Sequence, residues 1–184
     1  MAKYNRTHKN NELRIENVNE YVSLVGWVSK IRNLGGLIFV DLRDRSGIIQ
    51  LVIRPDNKYY DIATSLKSES VIKANGIIQE RENKNYKIPT GEIEVIVNEL
   101  ELINQSIDIP FEISDNTTAL EETRLKYRYL DLRRDTIKNN LILRHKVTMI
   151  ARNYLSDNGF IEVETPILQG AVCGASAKPF FTHH

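Results

Sequence analysis

The sequence predicts an all-β barrel followed by the start of an α+β domain. Two observations predict the barrel: apolar and polar residues alternate along several short segments, and Gly-rich or polar turns join those segments closely. A third observation predicts the α+β domain, because apolar residues near the C-terminus recur at helical spacing and a short strand-like segment follows them. The 184 residues are 41% hydrophobic and 27% charged, which is typical of an ordinary folded protein.

The barrel is predicted from five strands and one short helix. Residues 21–32 form the first strand, because alternate apolar positions fall on one side of it: Val22, Leu24, Gly26 and Val28. The other strands are predicted at residues 37–43, 48–53, 71–80 and 92–97, and the helix at residues 59–67. Three strands, a helix and two further strands are the order of an OB-fold barrel, which presents a sheet face to single-stranded nucleic acid.

The domain boundaries follow from a change in composition. The first domain is predicted at residues 1–104, a polar linker at residues 105–120 and the second domain at residues 121–184. In the second domain, Asp135 is a predicted N-cap, and a helical apolar stripe follows: Leu143, Val147, Ile150 and Tyr154.

The end of the second domain is predicted from local stop signals. The Asn158-Gly159 pair predicts the end of the helix, and residues 160–165 predict a strand that Pro166 ends. One helix and one strand cannot bury the apolar stripe, so the stripe needs more chain or a second copy of itself. The second domain is therefore expected to be incomplete.

Bulk properties exclude several classes of protein. The net charge of +1 neither supports nor excludes an RNA partner. A single cysteine, Cys173, allows no disulfide within the chain, which suits a cytoplasmic location. No segment is apolar for long enough to cross a bilayer, so no membrane partner is expected.

Three runs of residues are similar to a known family. Residues 26–28 (GWV) and 32–50 (RNLGGLIFVDLRDRSGIIQ) closely resemble the anticodon-binding domain of bacterial aspartyl-tRNA synthetases. Residues 124–134 (RLKYRYLDLRR) resemble the hinge of that family, and residues 158–166 (NGFIEVETP) resemble motif 1 of class II synthetases. The resemblance implies an N-terminal portion of an aspartate–tRNA ligase, with tRNA as its partner.

The resemblance implies roles for four residues of the predicted barrel in binding the anticodon. Phe39 matches an aromatic that stacks on a central anticodon base, and Gln50 matches a residue that hydrogen-bonds that base. Arg32 matches a basic residue near the anticodon, and Lys30 is a further candidate for a phosphate contact. From the strand pattern alone, the side on which Phe39 lies is undecided, because an isolated phenylalanine on a strand is usually in the core.

The resemblance also implies a specificity position and a dimer interface. Leu34 matches a position where leucine accompanies restriction to aspartate tRNA, as opposed to enzymes that also charge asparagine tRNA. Motif 1, here with Gly159, Phe160 and Pro166, pairs with the same elements of a second subunit in the family. A homodimer of the complete enzyme is therefore expected.

Residues 169–184 (QGAVCGASAKPFFTHH) depart from the aspartyl pattern and look more like a lysyl-tRNA synthetase. In that family a similar run lines the amino-acid pocket, which makes Gly174 and Ala175 candidate pocket residues. A lysine–tRNA ligase, a hybrid of the two, and a non-catalytic OB-fold module for tRNA or single-stranded RNA therefore stay as alternatives. The adjacent His183 and His184 lack further ligands nearby, so no metal site is expected.

The reaction that the resemblance implies needs ATP and Mg²⁺ in the complete enzyme. The arginines that offset the phosphate charge belong to class II motifs 2 and 3, and neither motif occurs in these residues. No residue of the chain is therefore predicted to be catalytic, and tight binding of ATP or Mg²⁺ is not expected. Purified chain is expected to give no ATP–pyrophosphate exchange.

Overall fold

The computed structural model describes residues 5–168, 170 and 180–182. They divide into two compact units, Met1–Glu112 and Ile113–His184, with the division inside the predicted linker. The first unit contains β1 (Tyr21–Leu34), β2 (Leu37–Arg43), β3 (Ile48–Ile53), α1 (Tyr60–Ser65), β4 (Val71–Glu80) and β5 (Ile93–Asn104), preceded by 3₁₀ turns at Asn10–Glu12 and Ile15–Asn17. The second contains α2 (Glu121–Lys126), α3 (Arg128–Asp131) and α4 (Asp135–Asp157).

The five strands close into a barrel in the order β1-β2-β3-β5-β4, and β4 pairs back onto β1. All neighbouring strands are antiparallel except β3 and β5, which are parallel. The predicted OB-fold is confirmed. Closure leaves one face of every strand inside and one outside, so the alternation of side chains decides which residues can reach a ligand.

The barrel interior is apolar and almost fully buried. Along β2 the side chains of Ile38, Val40 and Leu42 point inward and are at most 1% exposed, whereas the residues between them are half-buried on the outside. The other strands contribute equally buried residues to the same core, including Val22, Leu24, Val28, Ile49, Leu51, Ile53, Ile72, Ile78 and Val95. The period of two read from the sequence therefore sets the two faces correctly.

Two strands are longer than predicted. β1 continues through Leu34, so the turn is only Gly35-Gly36, whose φ angles of +61° and +85° suit glycine. β5 continues beyond Val97 to Asn104, because its second half pairs with β4 from Glu99 onward. A strand whose partner is already in place continues even where polar residues interrupt the alternation. The helix α1 is shorter than the predicted range of 59–67.

In the second unit, the predicted N-cap is wrong by one residue. α4 begins at Asp135, and Arg134 occupies the cap position without a capping side chain. The helix is instead capped by Asp115, which lies about twenty residues earlier in the chain. Its carboxylate accepts the backbone N–H of Thr136 in the first turn at 3.1 Å. Helix capping by a distant residue has no local sequence signature.

The end of α4 is predicted correctly, but the following strand is not. Asn158 is the C-cap, and Gly159 has φ +84°, as the Asn158-Gly159 stop signal predicts. The predicted strand at residues 160–165 is wrong: these residues have no regular secondary structure, and the described part of the second unit contains no strand with which they could pair. Glu162 instead forms an ion pair with Arg152 of α4 at 2.5 Å.

The apolar stripe of α4 is exposed in this chain. Leu143, Val147, Ile150 and Tyr154 each keep more than half of their surface accessible. This agrees with the expectation that the second unit cannot bury the stripe by itself. No helix in the described ranges combines the length and the hydropathy needed to cross a bilayer.

Candidate nucleic-acid interface

A groove of about 350 Å³ lies on the outer face of the barrel, across one end of all five strands. Its walls come from the ends of β1 and β4, the starts of β2 and β5, Gln50 and Val52 of β3, and the loops that follow β3 and β4. Apolar and charged side chains share the lining: Arg32, Leu34, Leu37, Phe39, Gln50, Val52, Arg54, Gln79, Glu80, Arg81, Glu82, Asn83, Glu94 and Ile96. The groove brings together four of the residues that the sequence singled out: Arg32, Leu34, Phe39 and Gln50.

Phe39 lies outside the core. The inward residues of β2 are Ile38 and Val40, so the ring of Phe39 between them faces outward and is half-buried. Its cross-strand neighbours are Arg32 on β1 and Val52 on β3. A half-buried ring on a sheet face, supported by neighbours on both sides, has one surface available for stacking.

Gln50 is almost completely buried, yet it also belongs to the outer face. Leu51 points into the core, and Gln50, the residue before it on β3, is 5% exposed beneath other side chains of the groove. Its amide oxygen accepts the Arg81 guanidinium at 2.7 Å and the Arg32 guanidinium at 3.3 Å. Its amide nitrogen donates to the Glu94 carboxylate at 2.7 Å. The amide therefore has a fixed orientation before any ligand arrives.

Two carboxylates hold the arginines of the groove in place. Asp41 accepts the Arg32 guanidinium at 2.6 Å, and Glu94 lies 3.9 Å from the Arg81 guanidinium. Sequence reasoning missed Asp41, Arg81 and Glu94 as site residues. The alternation of β5 indicates that Glu94 faces outward, because it lies between the inward-facing Ile93 and Val95. Only the pairing of β3 with β5 shows that Glu94 lies next to Gln50.

The Glu94 and Asp41 carboxyl groups both have a raised pKa. Burial raises the pKa of Glu94 above its ordinary value of 4.5, against the hydrogen bond from Gln50 and the charge of Arg81. Burial likewise raises the pKa of Asp41, against the charge of Arg32. The site therefore keeps its carboxylates in contact with the arginines at a cost in stability, which is common where residues are retained for binding.

We expect Glu94→Gln to stabilise the barrel more at pH 7 than at acid pH. A carboxyl group whose folded pKa is raised contributes stability that is fully present below its unfolded pKa and is lost as the pH rises through its folded pKa. Glutamine does not titrate, so the variant keeps that stability at neutral pH. Urea unfolding at pH 3.5 and pH 7 measures the difference, with Glu101→Gln on the exposed side of β5 as the control. An equal effect of Glu94→Gln at both pH values would contradict this assignment of the burial cost.

The two further barrel candidates differ in position. Leu34 is 61% exposed and lies on the rim of the groove. Lys30 is exposed on β1, with Asp41 as its cross-strand partner, and it is not among the residues that line the groove. Lys30 therefore lies beside the candidate site and not in it.

The remaining candidate residues belong to the second unit. Gly159, Phe160 and Pro166 lie after α4 and are exposed, with Phe160 at 65%. The candidate pocket residues Gly174 and Ala175, together with Cys173, His183 and His184, lie outside the described residues. Within the described ranges, no group of three or more His, Cys, Asp or Glu side chains is placed to hold a metal ion.

Comparisons with known proteins agree with this division into two units. Residues 22–103 match the family of OB-fold nucleic acid binding domains, and residues 120–184 match the family of class II tRNA synthetases (D, K and N). The chain is 51% identical over 168 residues to an aspartate–tRNA ligase of Bacteroides thetaiotaomicron, covering 90% of this chain and 29% of that protein. It is also 51% identical over 167 residues to an aspartate–tRNA(Asp/Asn) ligase of Halothermothrix orenii, covering 89% and 28%.

A solved structure gives the same result for the fold. An asparaginyl-tRNA synthetase from Pyrococcus horikoshii superposes with a TM-score of 0.77 at 31% identity, covering 88% of this chain and 38% of that one. The chain therefore spans between a quarter and two fifths of the length of these relatives.

The barrel with its outer groove, followed by a matched class II segment, defines this chain as part of a class II aminoacyl-tRNA synthetase. Within that class it belongs to the aspartate–tRNA ligase family, of which it represents the N-terminal region with the OB-fold domain.

Proposed function

We propose that the outer groove of the barrel binds the anticodon loop of a transfer RNA, and that the complete protein attaches aspartate to tRNA(Asp). The observation that carries the proposal is the position of Phe39 and Gln50 on the outer face, in one groove between two arginines. Had both side chains been part of the apolar interior, neither could contact RNA. The aspartate–tRNA ligases to which the chain is similar support the choice of amino acid and tRNA.

In this proposal the groove reads an unpaired base by stacking and by hydrogen bonds. The exposed surface of the Phe39 ring stacks on the base, a contact worth roughly 1–3 kcal/mol. Gln50 then hydrogen-bonds the edge of that base. The 3.3 Å contact from Arg32 to Gln50 is the longest hydrogen bond of its amide, so it is the one that a base displaces with the smallest loss.

Once a base has displaced Arg32 from Gln50, the Arg32 guanidinium can itself bind the RNA. Its guanidinium stays attached to Asp41, so it remains at the side of the groove as a donor to the base or its sugar-phosphate. Asp41 thereby limits how far Arg32 can move. Lys30, which lies next to the groove on β1, supplies a weaker and less specific contact with phosphate.

Leu34 on the rim is the proposed position that restricts the chain to tRNA(Asp). A leucine side chain that is 61% exposed can pack against the third anticodon base, where tRNA(Asp) and tRNA(Asn) differ, but has no group that hydrogen-bonds it. The chain is similar both to aspartate–tRNA ligases and to aspartate–tRNA(Asp/Asn) ligases, so this restriction needs its own test. Comparing the affinities of tRNA(Asp) and tRNA(Asn) loops for the wild type and Leu34→His provides it.

The second unit has a proposed role in assembly and catalysis by the complete enzyme. The exposed stripe of α4, with Gly159, Phe160 and Pro166 after it, is proposed to pair with the same elements of a second subunit. ATP and Mg²⁺ are proposed to bind the complete enzyme through residues other than those described here. The proposed location is the cytoplasm.

We expect Phe39→Ala to weaken binding of a tRNA(Asp) anticodon stem-loop by roughly 5- to 150-fold, because it removes a stacking contact of roughly 1–3 kcal/mol. Fluorescence anisotropy with a labelled stem-loop measures the dissociation constant. Tyr21→Ala is the matched control, since Tyr21 is an exposed aromatic at the opposite end of β1.

The same binding assay, with a second stem-loop whose anticodon is changed, distinguishes a synthetase from a general RNA-binding module. A synthetase should discriminate against a stem-loop with a changed anticodon, whereas a general module should bind both loops equally. Equal loss of affinity in Phe39→Ala and Tyr21→Ala would show that the groove is not the binding site.

A further inference from the structure

We propose that Arg54 and Lys58 bind the phosphate backbone of the RNA where it leaves the groove, and that they do so without regard to sequence. The inference rests on the proposed function of the groove and adds a second surface to it. Arg54 follows the last residue of β3 and lines the groove, and Lys58 lies in the loop that continues to α1.

The charge of the groove floor is already compensated. Arg32 pairs with Asp41, Arg81 lies beside Glu94, and Gln50 is neutral between them. A compensated, half-buried floor suits a neutral base better than a phosphate, whose charge would have to displace one of these carboxylates. The phosphates of a bound loop must therefore find their cations elsewhere.

Arg54 is the available cation on the rim. Its guanidinium is exposed and makes no hydrogen bond or ion pair with any residue in the described ranges, and its charge acts only at longer range on the Glu94 carboxylate. The opposite rim carries Glu82, and its Lys84 is already paired with Glu80 at 2.7 Å. The groove is thus positive on the β3 side and negative on the β4–β5 side. The RNA phosphate backbone is therefore expected to run along the β3 side, next to Arg54.

A second concave surface continues from this point. It has a volume of about 400 Å³ and shares Arg54 and Ile96 with the groove, so the two are contiguous. Lys58 lines it with an exposed ammonium group, 4.8 Å from the ring centre of Tyr59. Asp56 lines it as well and leaves the pair of cations with a net charge of +1.

The loop that carries these cations is held in place by the barrel. The Asn57 amide donates to the backbone carbonyl of Val97 on β5 at 2.6 Å and accepts the backbone N–H of Tyr59 at 2.9 Å. The Tyr60 hydroxyl donates to the carbonyl of Gly36 in the β1–β2 turn at 2.8 Å. These contacts hold the backbone of the loop against the barrel, so Arg54 and Lys58 are presented beside the groove that contains Phe39.

The test is the salt dependence of binding to an anticodon stem-loop by the whole 184-residue chain. In Arg54→Gln/Lys58→Gln, two phosphate contacts are lost, so the slope of log K against log [KCl] should become shallower by about 1.4. The corresponding loss of affinity is on the order of 20-fold at about 0.1 M KCl. The loss should be the same for the cognate loop and for a loop with a changed anticodon, since phosphates carry no sequence information.

The matched control is Arg45→Gln/Lys73→Gln, which removes the same charge from parts of the barrel that do not line the groove. It should leave the salt slope of the wild type unchanged. An unchanged slope in Arg54→Gln/Lys58→Gln, or a loss confined to the cognate loop, would overturn the inference while Phe39→Ala still tests the groove. If the wild-type chain binds no stem-loop at all, the proposed function fails together with this inference.

Discussion

Gln50→Leu is expected to abolish most of the discrimination between the cognate anticodon loop and a loop changed at the central base. Leucine has a similar volume, so the barrel should fold, but the groove loses the amide that arranges Arg32, Arg81 and Glu94. Losing the hydrogen bond between the amide and the base, with the neighbouring buried groups left unpaired, costs roughly 1.5–3 kcal/mol, which is a factor on the order of 10 to 100 in the ratio of the two affinities. Competition binding with the two loops measures this ratio.

Gln105→Leu is the matched control for this substitution. Gln105 is exposed just beyond the end of β5, whereas the groove uses residues at the start of that strand. Gln105→Leu should keep the ratio of the wild type. A Gln50→Leu chain that still prefers the cognate loop to the same degree would show that the base is read by other residues.

The fold could be predicted from the sequence because the barrel is specified by local signals. The alternation of Val22, Leu24 and Val28, and of Ile38, Val40 and Leu42, gives each strand its inner face. The Gly35-Gly36 turn sets the first hairpin. These signals act between residues that are close in the chain, and so they are visible without coordinates.

The site could be predicted only in part, because its partners are distant in the sequence. The side of Phe39 was undecided until the register placed Ile38 and Val40 inside. Gln50 meets Glu94 through the parallel pairing of β3 and β5, across 44 residues of chain. The Asp115 cap of α4 is a similar case. The resemblance to a known family predicted Phe39, Gln50 and Arg32 as site residues, but it did not predict the carboxylates that hold the arginines.

Leu51→Ala is expected to destabilise the barrel by about 2–5 kcal/mol. Leu51 follows Gln50 on β3 but is 0% exposed in the core. Truncating it removes buried apolar surface and leaves a cavity in a closed barrel, which cannot collapse easily around the loss. Urea unfolding followed by circular dichroism measures the change in the free energy of unfolding.

Gln50→Leu and Leu51→Ala change neighbouring residues of β3, one on the outer face and one in the core. Comparing them distinguishes effects on RNA recognition from effects on folding. If the assignment of faces is correct, Leu51→Ala lowers the free energy of unfolding, yet the fraction that stays folded keeps the wild-type ratio of affinities for the two loops. Gln50→Leu should change this ratio, and its effect on stability should come from the hydrogen bonds that Arg32, Arg81 and Glu94 lose and not from a cavity. Because the side chains of a strand alternate, a shift of β3 by one residue would exchange the two results. Altered discrimination in Leu51→Ala, with unaltered discrimination in Gln50→Leu, would therefore contradict both the register of β3 and the position of the binding groove.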